Sequence, residues 1–154
     1  IMAKPPKIFL LMNRAHAAIT RASERKTQAL ADLSMPQHGV LVLLSKQDGQ
    51  TVTQLAKSLS MRKSSLSGLI DRMVERGFVR RARQDADGRV VRIYLEPAAE
   101  SLVQRTVPFV QHVNGLLLTP FDAAEQEVIG RFLTHLAENA EDVIDQAEWR
   151  EGPE

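Results

Sequence analysis

Apolar positions recur with helical spacing near both ends of the chain. Between residues 8 and 33 they fall every three or four positions, which predicts a long amphipathic helix. Its apolar positions are Ile8, Leu11, Met12, Ala15, Ile19, Ala22, Ala29 and Leu30. A second stripe predicts a last helix that starts near Asp122 and continues to about Ala147. Its apolar positions are Val128, Ile129, Phe132, Leu133, Leu136, Val143 and Ile144.

Two capping boxes mark helix starts in the first half of the chain. Ser34 is followed three positions later by Gln37, and Thr51 by Gln54, so each pair can close a helix N-terminus reciprocally. The apolar run at residues 40–44 has the composition of a buried strand. Because a cap precedes it and Asp-Gly follows it, we predict a short buried helix instead.

A third helix is predicted from about Arg62 to Arg76, after a break near Ser60, and Gly77 should end it. One face is apolar and consists of Leu66, Leu69, Ile70, Met73 and Val74. The other face is polar and consists of Arg62, Lys63, Ser64, Ser65, Ser67, Gly68, Asp71 and Arg72. Such a helix packs on a core through one side and presents small hydroxyls and cations on the other.

The periodicity then changes from helical to alternating. Residues 78–83 and 89–95 alternate as two strands, and the intervening Asp-Gly predicts a hairpin. Pro97 can begin another helix, which Pro108 should kink or break. We therefore predict a mainly α fold with a small β-hairpin wing. The helix that begins at Thr51, the helix that begins near Arg62 and the hairpin then form a winged helix-turn-helix.

This arrangement suits duplex DNA. A helix fits the major groove, where its hydroxyls and long cations reach base edges or phosphates, and we assign Arg62 and Lys63 to such contacts. Arg89, at the tip of the wing, can enter a neighbouring minor groove, whose negative potential attracts arginine. Four further arginines surround the wing, at positions 80, 81, 83 and 92. Alone, the serine-rich face could be a solvated surface and the hairpin arginines could protect a sheet edge.

The distribution of charge supports the same function. Residues 57–92 contain ten Lys and Arg against four Asp and Glu, whereas residues 121–154 contain two against ten. Such asymmetry indicates a surface that faces a polyanion and a C-terminal segment that stays away from it. The chain has no cysteine, no apolar run of membrane-spanning length and no charged-then-apolar opening. We accordingly expect a cytoplasmic protein without disulfides, signal peptide or membrane span.

At these residues the sequence resembles the MarR (multiple antibiotic resistance regulator) family. The resemblance is carried by Leu55-Ala56, by RKSSLSGLIDRMVERGFVRR from Arg62 to Arg81, and by the wing sequence DADGR that ends at Arg89. It extends more loosely over nearly the whole chain. It implies a transcription regulator, expected to be a repressor, that binds double-stranded DNA at a pseudo-palindromic operator as a homodimer.

The resemblance also assigns residues. It places the DNA contacts at Arg62, Lys63, Ser64, Ser65, Ser67, Arg72 and Arg89. Asp87 then resembles a residue that holds the wing by pairing with a nearby arginine. The chain departs from the family in two places: Arg62 opens the recognition helix where the family often has a small hydroxyl residue, and Leu95-Glu96 replaces its Leu-Thr pair. These departures affect the helix cap and the start of the helix after the wing.

The family organisation divides the chain into an N-terminal dimerisation helix (1–35), a winged DNA-binding domain (36–96) and C-terminal dimerisation helices (97–154). A single small winged motif could not bury both terminal stripes, which favours a dimer interface. The resemblance further implies a small phenolic or aromatic-acid effector. Met12, Arg14, His16 and His38 could line its pocket, although a packed histidine and a solvated arginine are the commoner explanation of such residues.

Other kinds of site are not supported by the sequence. The four histidines lack paired metal spacing, and Asp85, Asp87 and Glu96 fail as a calcium loop because Val90 stands where glycine is required. Neither a phosphate-binding glycine loop nor a serine nucleophile elbow occurs, so we expect neither an enzyme nor a cofactor. Two alternatives stay open: a winged domain that binds RNA, and one that binds only a protein partner.

Overall fold

The structure, a computed structural model, describes residues 4–84, 86 and 88–149. The helices are α1 (Ile8–Ala31), α2 (Met35–Lys46), α3 (Val52–Ser58), α4 (Lys63–Glu75), α5 (Pro97–Leu118) and α6 (Ala123–Asp145). The strands are β1 (Gln50–Thr51), β2 (Val79–Arg83) and β3 (Val91–Leu95). One compact unit extends to Pro108 and a second begins at Phe109. The predicted mainly α fold with a small wing is confirmed.

Three helices begin at complete capping boxes, two of which the sequence predicts. In each box, the N-cap side chain accepts a hydrogen bond from the backbone N–H of the residue three positions later. The side chain of that residue in turn accepts a hydrogen bond from the backbone N–H of the N-cap residue. The pairs are Ser34 with Gln37, Thr51 with Gln54, and Asp122 with Glu125. Residues 40–44 therefore belong to a helix, and the strand alternative is wrong.

The helix α4 begins and ends as its sequence dictates. Arg62 is its N-cap and makes no side-chain capping hydrogen bond, in keeping with the missing hydroxyl at this position. Ser60, in the break before it, has a φ of 51°, and Gly77 after it has a φ of 72°. Glycine adopts this left-handed conformation without a Cβ penalty, so the chain can turn directly from α4 into β2.

The sheet has three antiparallel strands in the order β1-β3-β2, one strand more than the predicted hairpin. Ile93 in the central strand lies opposite Gln50 on one side and Arg81 on the other. The Asp48 carboxylate accepts hydrogen bonds from the N–H of Gly49 (3.1 Å) and of Leu95 (3.0 Å), which ties the β1 turn to the end of β3. The two edge strands of the sheet, β1 and β2, adjoin α3 and α4 along the chain, so the sheet is attached to the helices at both of its edges.

One hydrophobic core joins the helices of the first unit to the sheet. The side chains with less than 2% exposure include Leu33, Val40, Leu41, Leu44, Leu55, Leu66, Ile70, Met73, Val79 and Ile93. Full burial of one such side chain contributes roughly 1.5–3 kcal/mol. This core fixes α3 and α4 against the sheet, and so fixes the polar face of α4 relative to the wing.

The second unit has no core of this kind among its described residues. The helix α6 contains no buried residue, and its apolar stripe is exposed in the single chain except at the half-buried Ile129 and Leu136. Its large exposed residues are Val128, Phe132, Leu133, Val143 and Ile144. The helix α5 runs without interruption through Pro108, so the predicted break does not occur. No helix in the part of the chain that the structure describes is both long and apolar enough to cross a membrane.

Candidate nucleic-acid interface

The two faces of α4 separate core residues from candidate DNA contacts. Leu66, Leu69, Ile70 and Met73 are buried. The residues exposed on or beside the opposite face are Arg62, Lys63, Ser64, Ser65 and Arg72. Ser67 is half-buried and therefore lies at the margin of this face. The structure thus brings the predicted helix residues onto one accessible surface of small hydroxyls and long cations, the groups that contact base edges and phosphates.

Arg81 connects this helix to the wing. Its guanidinium donates a hydrogen bond to the Asp71 carboxylate, and its Nη2 lies 3.4 Å from the carbonyl oxygen of Ser67. The ion pair offsets the acidic charge of Asp71 on the polar face of α4. Sequence reasoning grouped Arg81 with the other wing arginines and missed this role; the signal was an aspartate on the outer face of a helix followed by an alternating basic strand.

Two other wing arginines also have intramolecular partners. The Nε of Arg80 is 3.5 Å from the Glu96 carboxylate, and its guanidinium stacks 4.6 Å from the centre of the Tyr94 ring. Arg92 donates to the carbonyl oxygen of Gly49 at 2.9 Å. Glu96, the departure from the Leu-Thr pair, therefore pairs with Arg80, and its carbonyl accepts the N–H of Ala99 in the first turn of α5.

The wing tip presents Arg89, which is exposed. Gly88 just before it has a φ of 62°, and a Cβ at this position would lie 3.2 Å from the Arg83 side chain. Both the backbone conformation and the nearby side chain therefore favour glycine in this turn. Asp85 and Asp87 lie outside the described residues. The pairing predicted between Asp87 and a nearby arginine therefore stays a prediction.

A cleft of about 330 Å³ lies between the start of α4 and the wing. Lys63 and Arg89 line it together with Thr51 and Thr53 from the start of α3, and Val52 and Val91 are apolar parts of its wall. The two threonines are absent from the predicted contacts. Nothing in their local sequence separates a helix-capping threonine from one beside a ligand, since only the fold brings them to the wing.

The four candidate effector residues occupy different environments. His38 is buried in α2, and its Nε2 is 2.7 Å from the Thr106 hydroxyl of α5; burial lowers the pKa of this histidine. Met12, Arg14 and His16 are exposed on α1. At 3.6 residues per turn, Met12 and His16 share a face, and Arg14 points to the opposite one. Among the described residues, no three His, Asp or Glu side chains assemble as a metal site.

Comparison with sequences of known proteins identifies relatives of the winged domain. The MarR family model matches residues 33–91. The uncharacterized HTH-type transcriptional regulator YfiV of Bacillus subtilis is 35% identical over 71 residues, which are 46% of this chain and 44% of YfiV. The chain therefore spans less than half the length of that relative. The transcriptional regulator HosA of Escherichia coli is 27% identical over 122 residues, 77% of this chain and 90% of HosA.

Solved structures share the fold over most of the chain. The transcriptional regulator SlyA superposes with a TM-score of 0.81 at 20% identity, covering 89% of this chain and 96% of SlyA. Streptococcus pneumoniae FabT, solved in complex with DNA, gives 0.75 at 18% identity over 89% and 97% of the two chains. BpsR of Bordetella bronchiseptica, whose DNA binding is regulated by 6-hydroxynicotinic acid, gives 0.75 at 22% over 86% and 100%.

Proposed function

We propose that this chain, which belongs through residues 33–91 to the MarR family, is a homodimeric regulator of transcription that binds double-stranded DNA at a pseudo-palindromic operator. The observation that carries the proposal is the surface formed by α4 and the wing. It presents Arg62, Lys63, Ser64 and Ser65 beside Arg89, on a domain whose core holds helix and wing in fixed relation. The DNA complex of FabT, a protein of the same fold, supports it.

The oligomer proposal rests on the exposed apolar faces of the terminal helices. In α1, Phe9 is 77% exposed and Leu11 is 48% exposed; in α6, Leu133 is 47% exposed and Ile144 is 52% exposed. Large apolar patches on a water-soluble surface mark interaction sites or cause aggregation. Covering them with a second copy gives the two-fold symmetry that reads an inverted repeat.

Selection of bound sequences from random duplex DNA tests this function. We expect an enriched inverted repeat whose half-sites are about one helical turn apart. Bound duplexes without any enriched sequence would support a non-specific DNA-binding protein. Retention of RNA in preference to duplex DNA would favour an RNA-binding winged domain, and binding of neither nucleic acid would favour a domain for protein partners.

We further propose that the protein acts as a repressor and that a small aromatic acid releases it from DNA. The regulation of BpsR by 6-hydroxynicotinic acid supports this class of ligand. Met12, Arg14, His16 and His38 stay the candidates for its site, with His38 reached only if the ligand opens the packing around it. A ligand shifts the equilibrium only when it prefers the released form. Calorimetry with benzoic and phenolic acids should show binding, and the ligands that bind should weaken operator affinity.

A further inference from the structure

Two cations with different predicted tasks line the same cleft. Lys63 is the first residue of α4, and Arg89 stands just before β3 in the wing. Both are exposed, and both line the cleft of about 330 Å³ that separates the start of α4 from the wing. A ligand in this cleft would therefore contact the start of α4 and the wing at the same time.

The chemistry of the lining suits a phosphodiester. Lys63 and Arg89 both line the cleft, and like charges that face one cleft favour an anion between them. Thr53 is exposed and can donate its hydroxyl, whereas the Thr51 hydroxyl already donates to Oε1 of Gln54 at 3.3 Å. Val52 and Val91 provide apolar surface of the kind that packs on a sugar ring.

The geometry of a duplex supplies the occupant. When α4 lies in a major groove and the wing reaches the adjacent minor groove, the strand that divides the two grooves must pass between them. The cleft lies between the same two elements, the start of α4 and the wing. We infer that it seats one backbone phosphate of the bound duplex, held by Lys63 and Arg89 with a hydrogen bond from the Thr53 hydroxyl; this inference rests on the proposed function.

Lys63 is thereby assigned to a phosphate rather than to a guanine edge. Contacts to phosphates position a protein on DNA and carry no sequence information directly. Loss of Lys63 should reduce affinity by the same factor on every duplex, and Thr53 should act in the same way although it carries no charge.

The test compares Lys63→Met with Lys46→Met, a matched change at an exposed lysine of α2 that does not line the cleft. Titrations on a selected and a scrambled duplex at several salt concentrations should show an equal fold-loss for Lys63→Met on both. The slope of log affinity against log salt should also flatten by about one unit. Lys46→Met should keep the affinity and the slope.

Phosphate ethylation interference on the selected duplex locates the contact. Ethylation of one phosphate per half-site, on the strand between the major groove and the flanking minor groove, should inhibit the unmodified protein. Lys63→Met and Thr53→Val should each reduce the sensitivity at this phosphate and leave it unchanged at the others. Unchanged interference, or a fold-loss confined to the selected duplex, would overturn the inference while DNA binding stands; failure of the unmodified protein to bind any duplex would instead refute the proposed function.

Discussion

Arg81 of β2 pairs with Asp71 of α4, so the strand that leads into the wing is tied to the outer face of the recognition helix. The pair is partly exposed, with 33% of the Arg81 side chain and 58% of the Asp71 side chain accessible. Its importance is therefore positional more than energetic, since exposed ion pairs stabilise proteins weakly. It restrains the wing against the same helix whose hydroxyls are proposed to face the DNA.

We predict that Asp71→Asn and Arg81→Gln will be coupled. Each single variant should lower the free energy of unfolding, and a double-mutant cycle should give an interaction of ~0.2–1 kcal/mol that shrinks at high salt. Urea denaturation at two salt concentrations measures it. Asp71→Asn combined with Arg83→Gln, a cation two positions further along β2, should be additive; a cycle with equal coupling for Arg83 would remove the specific role of Arg81.

The features that follow local rules were predictable from the sequence. The capping boxes at Ser34, Thr51 and Asp122 involve residues three positions apart, and the two faces of α4 follow from helical spacing alone. The strand β1 was not predictable, because two residues are too short for a pattern of alternation and the strand exists only by pairing with β3. The uninterrupted α5 also shows that one proline need not end a long helix.

The candidate interface likewise contains some features that local sequence predicts and others that only tertiary contacts determine. The exposure of Lys63, Ser64, Ser65 and Arg72 follows from the apolar stripe beneath them. The roles of the wing arginines do not, because Arg80, Arg81 and Arg92 choose partners that are distant in sequence. Likewise, Thr53 joins Lys63 and Arg89 only through the fold. Charge counts find a basic region, and tertiary contacts decide which of its cations face a ligand.

A charge in the apolar stripe of α6 should disrupt the proposed dimer. Leu133→Glu places a carboxylate where burial against a second copy is expected, and an unpaired buried charge is strongly unfavourable. Sedimentation equilibrium should show a shift towards monomer. Titration with the selected duplex should show a loss of affinity. Thr134→Glu adds the same carboxylate to the exposed neighbouring position and should leave the dimer intact. A fully dimeric Leu133→Glu variant would contradict the placement of the interface.

His38 should make the stability of the winged unit depend on pH. Burial lowers the pKa of the folded state below the ordinary value of 6.5, so the unfolded chain takes up a proton first as the pH falls. The contribution of neutral His38 to the free energy of unfolding is therefore complete above pH 6.5. It is lost as the pH falls from there towards the lowered pKa, with a slope of at most about 1.4 kcal/mol per pH unit.

His38→Gln keeps a side chain that can hydrogen-bond with Thr106 and removes this titration. Its unfolding free energy should fall less than that of the unmodified protein between about pH 7.5 and about pH 5.5, as measured by urea denaturation. His112→Gln changes an exposed histidine and should retain the full pH dependence. Equal pH dependence in the His38→Gln variant and the unmodified protein would show that His38 is not responsible.

The helix and the wing should divide the work of binding differently between affinity and sequence choice. In a two-fold dimer, the two copies of α4 would reach successive major grooves about 34 Å apart along one face of the duplex. Base edges there differ in donors, acceptors and methyl groups, whereas the narrow minor groove near the wing offers mainly negative potential. The exposed Ser65 and Arg62 should therefore read sequence, and Arg89 should respond to charge.

Three alanine variants separate these roles. Ser65→Ala and Arg62→Ala should each cost roughly 1–3 kcal/mol on the selected duplex and less on a scrambled one, because a lost base contact matters only where the matching base is present. Arg89→Ala should weaken both duplexes evenly and flatten the salt dependence of log affinity by about one unit. Fluorescence titrations on both duplexes at several salt concentrations measure all three effects. Unchanged affinity and salt slope in Arg89→Ala would mean that the wing does not touch DNA.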